Sequence, residues 1–111
     1  MEYLLLIYED EKRFAQGFDS DEFNEYIAFG KTHANALRAG KALQPTRAAT
    51  TVRVRNGKTA LTDGPFAETK EQLGGFYLVE AKDLDEATAM AARIPGVRFG
   101  CVEVRPVMKF S

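Results

Sequence analysis

Tyr3-Leu4-Leu5-Leu6-Ile7-Tyr8 puts six apolar residues in a row near the start of the chain. A half-buried strand alternates, so an unbroken apolar run of this length reads as a strand covered on both faces. Phe76-Tyr77-Leu78-Val79 repeats the pattern late in the chain. Any fold for this sequence must therefore bury two strands on both sides.

The remaining segments say what can cover them. Glu9 to Gly17 is charged and reads as a loop, long enough to act as a lid. Asp19-Ser20-Asp21-Glu22 supplies an N-cap and early acids that suit a helix dipole. Phe23, Tyr26, Ile27, Gly30, Ala34 and Leu37 then recur at helical spacing, and Ala39-Gly40 offers a left-handed stop. Ala42-Leu43 is extended. Thr51 to Arg55 alternates, with Val52 and Val54 on one side, and Asn56-Gly57 is a strong hairpin turn leading into Lys58 to Thr62. Asp63 to Gln72 reads as a polar loop with Gly74-Gly75 as a pliable exit. Phe76 to Ala81 is a strand. Asp83-Leu84-Asp85-Glu86 is a capping box opening a helix with Leu84, Ala87, Met90, Ala91 and Ile94 on one stripe, ended by Pro95-Gly96. Phe99 to Val107 is the last strand.

The order is strand, helix, hairpin, strand, helix, strand. It predicts an α+β domain on the ferredoxin-like plan with an inserted β-hairpin. At 111 residues there is room for one domain, residues 1–111. Two helices cover only one face of the sheet, so a second copy packed sheet to sheet is expected to cover the other. A homodimer is the expectation.

The formal net charge of −1 lacks the basic footprint of a nucleic-acid binder, and direct nucleic-acid contact is not expected. Cys101 is the sole cysteine and His33 the sole histidine. No internal disulfide and no thiolate-rich zinc site can be built from them, and no metal or cofactor is expected. The apolar start lacks a basic n-region, and no stretch approaches a membrane span. A cytoplasmic location is the expectation.

Asp63-Gly64-Pro65-Phe66 is the most individual motif. One reading is a structural turn in which the Asp63 carboxylate latches nearby N–H groups and Phe66 plugs into the body. The other is a general base or ligand acceptor held at a cleft mouth. His33 reads either as a half-exposed helix residue or as the one ordinary proton shuttle available. Glu68, Lys70 and Glu71 read as a solvated cluster or as carboxylates that tune Asp63. Arg47 can reach an anionic ligand through its fork of donors. Cys101 reads as packing. No P-loop, dinucleotide fingerprint or serine triad context is present.

The run from Thr62 to Phe76, TDGPFAETKEQLGGF, closely resembles the signature of the DGPF-domain branch of the YCII-related family. The likeness extends to Tyr3–Tyr8, Leu43-Gln44-Pro45, Thr50–Arg55, Asp83–Ala87 and Val102–Pro106. It implies a ferredoxin-like fold assembled as a dimeric α+β barrel. It implies an enzyme-like cleft with a His–Asp pair, and one relative in the wider group dehydrochlorinates a hydroxylated aromatic. It also implies an association with extracytoplasmic-function sigma factors. Asp63 falls on the motif. The family histidine sits early on the first helix, whereas Phe23, Asn24 and Glu25 occupy those positions here and His33 follows later. Three functions are therefore in view. The first is a small-molecule enzyme or binding protein using Asp63 and His33 with Arg47, Phe66 and Glu68 as ligand contacts. The second is a sigma-factor partner working through Arg53, Arg55 and Lys58. The third is an assembly module.

Overall fold

In a computed structural model of the chain, which describes residues 1–15, 17 and 19–110, the early apolar run forms strand β1 (Glu2–Glu9). Helix α1 (Ser20–Thr32) follows, then β2 (Leu37–Ala42), the hairpin β3 (Thr50–Arg55) and β4 (Lys58–Asp63), β5 (Gln72–Glu80), α2 (Leu84–Ala91) and β6 (Cys101–Pro106). The expected loop from Glu9 to Gly17 holds a 3-10 turn over Glu11–Phe14; its Gln16 lies outside the described residues.

The main sheet has four antiparallel strands in the order β2-β5-β1-β6. The two double-covered runs are its central strands, as continuous hydrophobicity requires. With the β3–β4 hairpin set aside, this is the ferredoxin-like strand order. The fold is mixed α+β, as expected.

Tyr3, Leu5 and Ile7 point to one face, alongside Val79, and pack in one core with Phe29 of α1, Ala87, Met90 and Ala91 of α2, and Ile94 just beyond it. Leu4, Leu6 and Tyr8 point the other way, next to Leu78 and Phe76 in register, and are only half-buried. The helices thus cover one face and leave the other open.

Three expectations are corrected. Helix α1 stops at Thr32 rather than running to Gly40, because His33 caps it and the chain turns at once into β2. Gly40 is a strand residue whose missing side chain makes room for Tyr77: a Cβ there would lie 2.6 Å from Tyr77 Cδ1. Gly74-Gly75 is no pliable exit. Both lie inside β5, next to a register shift between Ile7 and Tyr8. The buried stripe of α1 is also turned. Glu22 and Phe29 face inward, while Phe23 and Ile27 are exposed. The polar contacts of Glu22 inside the fold outweigh the periodicity of the apolar residues.

Candidate functional site

Strand β4 ends at Asp63, opposite Thr50. Gly64 then takes φ +98°, a conformation that favours glycine. Its N–H donates to Ala49 O at 2.7 Å, and Thr51 Oγ1 donates to Gly64 O at 2.8 Å. The turn is therefore clamped by the first hairpin strand and its approach. The expected carboxylate latch is absent: among the described residues the Asp63 side chain is exposed and accepts no hydrogen bond. Phe66 does not plug into the body. It is 82% exposed, and Pro65 and Ala67 on either side of it are the half-buried residues.

The loop borders an open cleft of about 470 Å³. Gly64, Pro65, Ala67, Glu68 and Thr69 form one wall, and Thr46, Arg47 and Gln72 the other. Glu11 holds the second wall in place. Its carboxylate accepts from Thr46 N at 2.8 Å and Thr46 Oγ1 at 2.6 Å, and its own N–H donates to Gln72 Oε1 at 3.1 Å. Gln72 Nε2 in turn donates to Thr69 O, and Thr69 Oγ1 to Glu71 O. The segment after β1 is thus tied to the motif loop. Sequence reasoning did not single out Glu11, which stands in a charged segment without pattern.

Arg47 is exposed on the 3-10 turn Thr46–Ala48. No hydrogen bond or ion pair engages its guanidinium among the described residues, and none engages the Glu68 carboxylate. Both are available to a ligand.

His33 lies elsewhere. It is the C-cap of α1, with Nδ1 3.1 Å from Phe29 O and its ring centroid 4.4 Å from that of Phe29. It borders a separate groove against α2, and no hydrogen bond joins it to Asp63 among the described residues. The fold brings Arg47 and Glu68 to one cleft, whereas Asp63, which precedes the lining residue Gly64 in the chain, and the outward-projecting Phe66 do not line it. It does not bring His33 there.

A buried polar cluster also escaped the sequence. Arg13 Nε donates to Glu9 Oε1 at 2.8 Å, and its Nη2 donates to Glu22 at 2.6 and 2.7 Å. Its guanidinium stacks 3.8 Å from the Phe99 ring. Tyr26 Oη accepts from Gly96 N at 3.1 Å. Burial pushes the Glu9 carboxyl up, and burial together with Glu9 pushes the Tyr26 phenol up. The available signal was the odd-numbered inward set of β1, which continues Tyr3, Leu5, Ile7 into Glu9. Cys101, expected in packing, is exposed because its strand position faces the open side; its thiol lies 3.8 Å from Glu71 Oε1 and is pushed up by desolvation and by that carboxylate.

The YCII-related domain pattern matches residues 1–111. The chain belongs to the YCII-related family. It is 39% identical over 118 residues to an uncharacterised protein of Rhizobium meliloti (strain 1021), spanning 100% of this chain and 95% of that protein. Among solved structures, this YCII-related chain is similar to 5-chloro-2-hydroxyhydroquinone dehydrochlorinase from Burkholderia phenoliruptrix AC1100, in complex with 2,5-dihydroxybenzoquinone. The TM-score is 0.56 at 15% identity, over 97% of this chain and 94% of the other. At that identity the likeness concerns the fold. No helix among the described residues is long and apolar enough to cross a membrane.

Proposed function

We propose that this YCII-related protein binds a small anionic metabolite in the cleft under the motif loop, as an enzyme or a ligand-binding protein. The observation that carries this is the unengaged Arg47 guanidinium facing a loop held open by Glu11, Gln72 and Thr69. A forked, permanently charged donor in a preformed concavity is suited to a carboxylate or phosphate. In this reading Asp63, adjoining the lining residue Gly64, is the proton acceptor, Glu68 supplies a second polar contact, and the exposed Phe66 offers an apolar contact to any part of the ligand outside the cleft. An enzyme of similar fold that handles a hydroxylated ring supports a small-molecule substrate. A direct His33–Asp63 relay is no part of this reading, since His33 borders another groove.

The test is a thermal-shift screen of acidic and phenolic metabolites, followed by titration of the best binder. Arg47→Ala is expected to weaken binding at least about tenfold, near 1.4 kcal/mol. Asp63→Asn is expected to leave binding in place and abolish any turnover. Unchanged affinity in Arg47→Ala sinks the assignment.

A second reading rests on the hairpin. Among the described residues β3–β4 pairs with no other strand, and it exposes Val52, Val54 and Leu61 beside the alternating Arg53, Arg55 and Lys58. Such an arm suits a protein partner, and the family resemblance points to an extracytoplasmic-function sigma factor. Co-purification that is lost in Val52→Ser/Leu61→Ser but kept in Arg47→Ala would favour it.

A further inference from the structure

The groove beside His33 has its own chemistry. Glu86, Ala89 and Met90 fall at i, i+3 and i+4 on one stripe of α2, and Arg93, two residues past its end, lines the same side of the groove. The turn that follows α1, with Thr32, His33, Asn35 and Ala36, lines the facing side, and the two leave a cavity of about 310 Å³. Met90 is buried and Ala36 half-buried, which gives an apolar floor.

Arg93 engages no acceptor among the described residues, whereas Arg13, Arg38, Arg55 and Arg98 each donate to one. His33 is more specific. Its Nδ1 faces the Phe29 carbonyl at 3.1 Å. A carbonyl only accepts, so Nδ1 carries the proton and, in the neutral ring, Nε2 is left as an acceptor. Glu86 already accepts from Lys82 N at 3.1 Å through Oε1. One guanidinium set against one carboxylate favours a monoanion over a phosphate-like dianion.

We infer that this groove is a second ligand site, distinct from the motif cleft, for a small monocarboxylic acid that also carries a hydroxyl group. The carboxylate pairs with Arg93, the apolar body lies on Met90 and Ala36, and the hydroxyl donates to His33 Nε2. The site is formed by the helical layer, so it stays accessible when the open sheet face is covered.

Because the chain has one histidine, its imidazole C–H signals report this site without ambiguity. The full chain is titrated with 4-hydroxybenzoate, benzoate and inorganic phosphate, followed by NMR at pH 8. A saturable shift of the His33 signals is expected with 4-hydroxybenzoate, at least fivefold tighter than with benzoate and absent with phosphate. Arg93→Ala is expected to weaken it at least tenfold, with the circular dichroism spectrum unchanged. Arg47→Ala, on the motif cleft, is expected to leave it intact. No saturable shift up to 10 mM, equal binding of the two benzoates, or equal affinity in Arg93→Ala would each overturn the inference. Loss of the shift in Arg47→Ala would assign the binding to the other cleft and overturn it as well.

Discussion

Glu9 is an acid on the helix-covered face of β1, 6% exposed and held by Arg13. Burial raises its carboxyl above the ordinary 4.5, against the pull of Arg13. The folded state therefore binds the proton more readily than the unfolded chain. Glu9's contribution to stability is fully present below about pH 4.5 and is lost as pH rises through its folded value. Exposed Glu25 and Glu80 are lowered by Arg98 and the N-terminal amine, and act in the opposite sense. Glu9→Gln is expected to remove the part of the decline that begins above pH 4.5, read as urea midpoints across pH 4 to 8. Arg13→Ala is more severe. It leaves two buried carboxylates facing each other without a cation and is expected to cost about 3–5 kcal/mol near neutral pH. A loss below 1 kcal/mol would mean that water already screens the cluster.

At the scale of elements, the motif turn is a joint between the hairpin and the sheet. Gly64 has open space around its Cα, so a methyl group there meets nothing. Its constraint is the positive φ alone. Gly64→Ala is expected to cost about 1 kcal/mol, while Gly64→Asn, which tolerates that region, is expected to cost less. Equal losses in chemical denaturation would show that the turn changes shape on substitution. Much of this scale was readable beforehand. Asn56-Gly57 turns the hairpin with φ 52° and 75°, and Asp83 Oδ1 accepts from Glu86 N at 2.9 Å as a capping residue should. The end of α1 was not readable, because Leu37 continues the helical spacing and yet pairs with Val79 in the sheet.

For the whole molecule, the radius of gyration is 15.9 Å, against about 13 Å for a compact domain of this length. The excess reflects an extended outline of 46 × 46 × 18 Å, with a hairpin that joins no other strand among the described residues. A lone two-stranded hairpin is marginal in water, and the half-buried Leu4, Leu6, Phe76 and Leu78 lie on the uncovered sheet face. Both features motivate the homodimer proposal. Light scattering is expected to give twice the monomer mass at micromolar concentration. Leu6→Lys is expected to yield a monomer, because a buried unpaired ammonium opposes sheet-to-sheet packing. A wild-type monomer under those conditions would end the proposal.

The central strands, both helix N-caps and the hairpin follow from local rules, whereas β2 does not: apolar periodicity, capping side chains and the φ preferences of Asn and Gly act over a few residues. Sequence also singled out Asp63-Gly64-Pro65-Phe66, and with it the family. What the local rules could not decide were the questions of what meets what. Phe66 is apolar yet points to solvent, and Asp63 is a natural latch yet holds nothing, because a clamp from Ala49 and Thr51 already holds the turn. Glu11, unremarkable in its charged segment, reaches 35 residues along the chain to hold a cleft wall. His33, matched with Asp63 by chemistry, is drawn to the end of α1 and the flank of α2. These outcomes depend on contacts between distant segments, whose energies arise only once the sheet order brings those segments together.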